Sequence, residues 1–291
     1  MNKEKININN EPQTTEPSKQ FGFEAIVIKK IADVVNRIFN EHCNNTIAKL
    51  PDSSIDLVFT SPPYFNAKDY SEYESVADYM NQMEQVFVGI ERILKPSRMC
   101  VINISPVLIE REKRSEQSYR IPLPFYFVPM MEKIGFEFLE DIIWKKPDGA
   151  AINRNAGFFV NRKPIAYKPN IVTEYVLVFK KKANFLIDKV LQNNSFVSGE
   201  YERTNVWEIQ PETNSWHPAP FPQKLAENVI RYYSYENEIV YDPFVGSGTT
   251  CIVAGKLNRK WIGIELKKEY SEATLQTINQ DMFLTNSNFS L

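Results

Sequence analysis

Apolar and polar positions along this chain follow two recurring patterns. Short, nearly continuous apolar runs predict buried strands at 55–60 (IDLVFT), 98–105 (RMCVINIS), 136–145 (FEFLEDIIWK), 174–180 (EYVLVFK), 238–244 (EIVYDPF) and 260–266 (KWIGIEL). Apolar residues three and four apart predict helices over 25–39, 79–94, 125–135, 222–234, 249–257 and 269–282. Lys95-Pro96 closes the second helix and Gly135 the third, because proline lacks an N–H and glycine tolerates positive φ. Strands and helices that take turns, joined by short connections, predict an α/β fold: a mostly parallel twisted sheet with helices on both faces.

Two segments break the alternation. Residues 105–124 are charged and irregular, and 180–216 are long, polar and rich in asparagine. Long insertions of this kind in a compact domain usually serve function or stay disordered, so both are expected to read a substrate. The first 20 residues are polar and lack the apolar stretch of a signal peptide; a disordered tail is expected there, with one domain over 21–291. No apolar run reaches the roughly 18 residues of a membrane span. A soluble, cytoplasmic protein is the expectation.

Composition sharpens this picture in two places. Cys43, Cys100 and Cys251 form no C-x-x-C pair, and there are only two histidines, His42 and His217, so neither a disulfide framework nor a metal centre is expected. Net charge is −2, yet residues 145–182 carry nine basic residues against Asp148 and Glu174. Trp144, Phe158, Phe159, Tyr167, Tyr175 and Phe179 are interleaved with them. Charge alone reads as a solvated basic face; with the aromatics, the stretch also suits phosphates and an unstacked base.

Two strings carry chemistry. In EIVYDPFVGSGTT (238–250), a strand delivers Asp242 to its tip, and Gly246-Ser247-Gly248 turns into a helix beginning near Thr249. The glycines permit close backbone approach, and the helix N-terminus offers unpaired N–H groups. Asp242 suits an ammonium group, and Glu265, at the end of the next strand, stands about 20 residues on, as expected of an acid that takes ribose hydroxyls. A P-loop string is absent, and Cys251 occupies the third small position of a dinucleotide fingerprint. A ligand with an amine, a carboxylate and a ribose fits better, and S-adenosyl-L-methionine is such a ligand. The other string, VFTSPPYF (58–65), runs a buried strand into a rigid corner of Ser61, Pro62, Pro63 and Tyr64.

Together these strings resemble the amino-group DNA methyltransferases of the β arrangement. In that family a [DNS]-P-P-[YFW] motif, matched by Ser61-Pro62-Pro63-Tyr64, precedes the cofactor motif, matched by Asp242, Pro243, Phe244, Gly246, Ser247, Gly248, Thr249 and Thr250. HPAPFPQKLAENVI (217–230), WKKP (144–147) and TEYVLVFKK (173–181) resemble further family segments, and the match runs from about 37 to 280. The resemblance implies a Rossmann-like methyltransferase fold, S-adenosyl-L-methionine as cofactor with Phe221 packed against it, and double-stranded DNA as partner. It also implies target-recognition insertions at 105–124 and 180–216, and places the enzyme in a restriction–modification setting, with a homodimer and a cognate endonuclease as further partners. No metal is implied.

The chemistry follows from the corner. An exocyclic base amine is a poor nucleophile because its lone pair is delocalised into the ring. The Ser61 hydroxyl oxygen and the Pro62 carbonyl can accept its two hydrogens and free the lone pair toward a sulfonium methyl. Tyr64, with Phe65 beside it, offers a face for a flipped base. Methylation at cytosine carbon 5 would need a cysteine after proline, which this chain lacks. Serine at the first motif position is typical of N4-cytosine enzymes; N6-adenine is the alternative, and an RNA or protein-amide substrate a further one. The family's Gly-Asp-Cys string is here Glu41-His42-Cys43, so the acid contact that the resemblance implies to the cofactor adenine is not matched, and His42 is read as a surface or packing residue rather than as a substitute for that acid. Glu174 is read as structural, Trp207 and Trp216 as core anchors, and His217 as ordering its loop.

Overall fold

Strand formation begins with residues that cannot be left in water. IDLVFT forms β2 (Ile55–Thr60), and all six residues are buried. In the computed structural model, which describes residues 30–65, 73–111, 113, 115–150, 160, 162–165, 167–184, 192, 195–212 and 220–287, this strand lies near the middle of an eight-stranded sheet. In chain order the elements before β2 are β1 (Arg37–Phe39) and α1 (Cys43–Lys49). After it come α2 (Val76–Ile93), β3 (Leu94–Ile104), β4 (Val107–Ile109), β5 (Tyr119–Ile121), α3 (Leu123–Ile134) and β6 (Phe136–Lys145). The chain continues with β7 (Thr173–Lys181), β8 (Val206–Glu208), α4 (Gln223–Tyr233), β9 (Ile239–Asp242), α5 (Thr249–Lys256), β10 (Lys260–Ile264) and α6 (Lys268–Ser287).

The sheet order is β1-β10-β9-β2-β3-β7-β6-β8, and every neighbouring pair is parallel except the two that involve β7. Strand pleating divides the core between the two faces. Val58 packs with Phe87 and Ile90 of α2 and Phe127 of α3, whereas Leu57 and Phe59 pack with Leu225 and Val229 of α4 and Ile252 of α5. From β9 the chain crosses through α5 to β10; from β2 it crosses through α2 to β3, in the opposite direction along the sheet. The point of divergence, between β9 and β2, is where open α/β sheets leave a crevice at their carboxyl edge.

Backbone pairing across that divergence is short, limited to Leu57↔Val240 and Val58↔Tyr241. Side chains close it at both ends. Asp56, 3% exposed, accepts the Ile239 N–H at 3.0 Å and the Lys95 ammonium at 2.6 Å. At the other end, the Thr60 hydroxyl donates to Asp242 Oδ1 at 2.6 Å.

The helix expected over 25–39 is not what the described part of that stretch forms. Ile31–Asp33 make one 3-10 turn and Arg37–Phe39 form an edge strand on β10. Asn36 takes positive φ; its N–H donates to the Trp261 carbonyl at 2.6 Å, and its side chain accepts from the Trp261 N–H at 3.2 Å. Tertiary pairing therefore overrides an apolar spacing that suits a helix or an edge strand equally. The structure also adds α1, and a β4–β5 hairpin inside the irregular 105–124 stretch. Strand β8, inside 180–216, pairs with β6.

Replacing Asp56 with alanine strands the Ile239 N–H and removes the partner of Lys95. It is expected to cost roughly 3 kcal/mol. Urea unfolding should show Asp56→Asn, which keeps an acceptor, losing clearly less.

Candidate active site

The sheet brings together two strings that stand far apart in sequence. Ser61, Pro62, Pro63 and Tyr64 leave β2 directly after Thr60, and Asp242 ends β9 beside them. Asp242 is 1% exposed; its Oδ1 accepts from Thr60 and from the Phe244 N–H at 3.0 Å. Its Oδ2 is buried with no hydrogen-bond partner among the described residues. Burial pushes the Asp242 carboxyl up to about 6, against the lowering effect of these hydrogen bonds. An orphaned carboxylate oxygen at a crevice fits a cationic ligand group, since burying it unpaired is costly.

The turn after Asp242 is shaped for close approach. Gly246 and Gly248 both take positive φ (52° and 84°), and a Cβ on Gly248 would lie 2.5 Å from the Thr274 side chain of α6. The Gly246 N–H donates to Glu265 Oε2 at 3.0 Å and the Lys267 N–H to Glu265 Oε1 at 2.8 Å. Burial raises the Glu265 carboxyl, opposed chiefly by these two N–H groups. Each oxygen keeps a further lone pair, the acceptor capacity that a ribose diol needs. Ser247 and Thr249 share a 3.0 Å hydrogen bond, and the Thr250 hydroxyl donates to the Phe59 carbonyl at 3.4 Å, which ties the start of α5 to β2. Phe221 stacks obliquely on Phe59, with ring centroids 5.0 Å apart, beside the same crevice. Pro243 is buried and Phe244 half-buried behind the turn.

On the other side of β2, the corner is braced by Glu174, which sequence reads as structural, and by Asn103, which sequence does not single out. The Tyr64 hydroxyl donates to Glu174 Oε2 at 3.2 Å. Asn103 Nδ2 donates to the same oxygen at 2.9 Å, and the Lys146 ammonium pairs with Glu174 Oε1 while lying 4.5 Å from the Trp144 ring centre. Burial and Glu174 push the Tyr64 phenol well up, and a hydrogen bond with Ser61 opposes them. Only the singular polarity of Asn103 in Val101-Ile102-Asn103-Ile104 could have flagged it. Phe65 is not a base-stacking face: it is 7% exposed between Tyr73 and Tyr79.

Other expectations resolve plainly. His42 caps α1, its Nδ1 accepting from the Asn44 N–H at 3.2 Å. Trp207 is a core residue, whereas Trp216, His217, Phe158 and Phe159 lie outside the described residues. The basic stretch is partly neutralised, because Lys145, Lys146, Lys180 and Lys181 pair with Glu208, Glu174, Glu137 and Glu91. Trp144 and Phe179 are core, while Tyr167 is exposed. All three cysteines are buried with their thiols shifted upward, Cys43 to about 11, which suits none of them to nucleophilic attack. No cluster of potential metal ligands occurs among the described residues.

A buried acid and a glycine turn on one strand, abutting a serine-proline-proline-tyrosine corner on its neighbour, define a class, and comparison with known proteins agrees. Residues 55–276 match the N6_N4_Mtase family, DNA methylase, and the chain belongs to that family. It is 31% identical over 236 residues to the type II beta methyltransferase M.BslI of Bacillus sp. (strain NEB-606), covering 78% of this chain but 26% of that protein. It is 26% identical over 268 residues to the type II methyltransferase M.BglII of Bacillus subtilis, covering 84% and 69% of the two chains. Among solved structures, TTHA0409 of Thermus thermophilus in complex with S-adenosyl-L-methionine superposes with a TM-score of 0.70 at 26% identity, covering 84% of this chain and 93% of that one.

Thr60→Val removes the hydroxyl that steadies ionised Asp242. That hydrogen bond favours the charged form, so the loss, about 1–3 kcal/mol, should be full at pH 8 and smaller at pH 5, where Asp242 is mostly protonated. Chemical denaturation at the two pH values measures the difference.

Proposed function

We propose that this protein transfers a methyl group from S-adenosyl-L-methionine to an exocyclic amine in double-stranded DNA, with cytosine N4 as the acceptor. The observation that carries the reading is the meeting of the two strings at the divergence of the sheet, joined by the Thr60–Asp242 hydrogen bond. Family membership and a cofactor-bound structural relative support it. Serine at the first corner position favours N4 over adenine N6.

In this reading the Asp242 Oδ2 accepts the cofactor ammonium, Glu265 accepts the ribose hydroxyls, and the Gly246–Gly248 turn with Ser247, Thr249 and Thr250 cradles the chain between them. Phe221, with Pro243 and Phe244 behind the turn, closes the crevice. The cofactor supplies an electrophilic sulfonium methyl. The protein supplies acceptors: the Ser61 hydroxyl oxygen and the Pro62 carbonyl draw on the two amine hydrogens, and the proline φ angles hold those oxygens without reorganisation. Tyr64 stacks on the base, which leaves the duplex at a cost of a few kcal/mol. Segments 105–124 and 180–216 read the flanking sequence. A cognate endonuclease and a homodimer complete the setting we propose, in keeping with the type II names of the relatives.

Incubation with unmethylated DNA and the cofactor, then digestion to nucleosides, should yield N4-methylcytosine. N6-methyladenine would reassign the base, and methyl groups found only in RNA or protein would reject the DNA substrate.

The two halves of the site should also separate in kinetics. Ser61→Ala lowers turnover more than cofactor affinity, and Asp242→Ala does the reverse. Because the contact needs both ionised Asp242 and a protonated cofactor amine, cofactor affinity should peak near pH 7. It should fall by about tenfold per unit as pH drops below 6, with Asp242→Asn weak and pH-independent in calorimetry.

A further inference from the structure

A base that leaves a duplex stays joined to its neighbours through the backbone. A protein that draws it out has to hold the strand beside it, and contacts to phosphate are what fix a protein's register and orientation on DNA. A concave site close to the corner is built for such a contact, from two segments that only the fold brings together.

The β4–β5 hairpin follows β3 after only Ser105 and Pro106, and Ile104, the last residue of β3, pairs with Tyr175 of β7. Residues 167–171 run into β7 just ahead of Thr173. Strand β7 is antiparallel to β3, and β3 is parallel to β2. The hairpin and 167–171 therefore issue from the same edge of the sheet, the edge at which β2 delivers Ser61 to Tyr64. Between them lies a cavity of about 260 Å³. Ile171, in its lining, stands three residues before Glu174, whose carboxylate accepts the Tyr64 hydroxyl at 3.2 Å. Three residues of extended chain span at most about 11 Å, so the cavity lies a nucleotide or two from the corner.

Its chemistry suits a phosphate. Arg120 and Lys168 both line it, and none of the described lining residues is acidic. Lys145, Lys146, Lys180 and Lys181 each pair with a glutamate, whereas the Lys168 ammonium meets the Ser118 hydroxyl at 3.2 Å. Arg120 donates to the Pro106 carbonyl at 3.3 Å, a neutral acceptor that steadies the guanidinium. In a chain of net charge −2, solubility does not require a concave site with two cations. Tyr119 and Tyr167 line the same cavity while 62% and 58% exposed. Aromatic rings interleaved with cations are the combination that binds nucleic acid, rings packing on sugar or base and cations on phosphate.

We propose that this cavity binds the backbone of the target strand beside the flipped base. Arg120 and Lys168 hold a phosphate, the Ser118 hydroxyl is a further donor, and Tyr119 and Tyr167 pack against the adjoining sugar. The inference deepens the proposed function and rests on it, because it takes DNA as the substrate. The contact is indifferent to base identity: it anchors the strand next to the one base that moves.

Salt dependence reads phosphate contacts directly and needs neither methyl transfer nor a known recognition sequence, since non-specific binding is carried by phosphates too. The probe is a fluorescently labelled duplex of mixed sequence, titrated with the full chain by anisotropy between about 50 and 200 mM KCl. Arg120→Gln and Lys168→Gln should each weaken binding several-fold. Each should also reduce the magnitude of the slope of log K against log[KCl] by about one, and the double variant by about two. Lys168→Arg should keep the parent slope, which separates loss of charge from damage to the hairpin. Tyr119→Ala and Tyr167→Ala should weaken binding with the slope unchanged. Lys260→Gln, at the start of β10 and the opposite edge of the sheet, should behave as the parent. A double variant with the parent slope overturns the proposal, as does an equal change in Lys260→Gln. If the parent methylates DNA while either of those results is found, only this site is wrong; a parent that binds no DNA removes the proposed function and the site with it.

Discussion

A hydrogen bond between Thr60 and Asp242 holds the site together. The strands that carry the two residues share only two backbone register pairs, so their relative position is set largely by side chains. Asp56 and the Ile239 N–H close one end of the seam, and Thr60 and Asp242 the other. The clamp is reciprocal: each strand lends one carboxylate to its neighbour. At the carboxyl end, the clamp also leaves one Asp242 oxygen unsatisfied in a buried setting, which stability alone would disfavour and a cationic ligand would reward.

Around this seam the molecule divides its tasks. In the proposed reading, acids and a glycine turn on the β9–β10 side take an ammonium, a ribose and the chain between. On the β3–β7 side, a carboxylate bound by a lysine, an asparagine and a tyrosine steadies the corner proposed to meet the base. Ser61 and Pro62 stand where the two sides meet. The prolines confine the backbone, and the tyrosine is tethered by its hydroxyl while its ring is half-buried. In the proposed reading, fixed oxygens and a fixed ring reduce what must reorganise when the base arrives.

Much of this could be read from sequence because the informative residues are contiguous. A strand that runs into Ser61-Pro62-Pro63-Tyr64 and one that runs into Asp242 and Gly246-Ser247-Gly248 each carry local signals of burial, rigidity and turn chemistry. The sheet strands at 55–60 and 136–145 appear with the expected bounds. What escaped detection depends on distant partners. Residues 37–39 have an apolar spacing that suits a helix, and become a strand only because β10 offers an open edge. Glu174 reads as structural from sequence, but the side chains it braces, Asn103, Lys146 and Tyr64, show only in the fold. The positive charge of 145–182 looked larger than it is, because its acidic partners Glu91, Glu137 and Glu208 lie outside the segment.

The central claim is spatial: oxygens of a serine and a proline peptide confront a methyl donor across a gap that one unstacked base fills. A crystal structure of the protein with duplex DNA and a non-reactive cofactor analogue measures this directly. The account predicts an extruded base whose amine lies within hydrogen-bond reach of Ser61 Oγ and the Pro62 carbonyl and faces the donor atom. A base left stacked in the helix, or a donor atom far from that elbow, would contradict it.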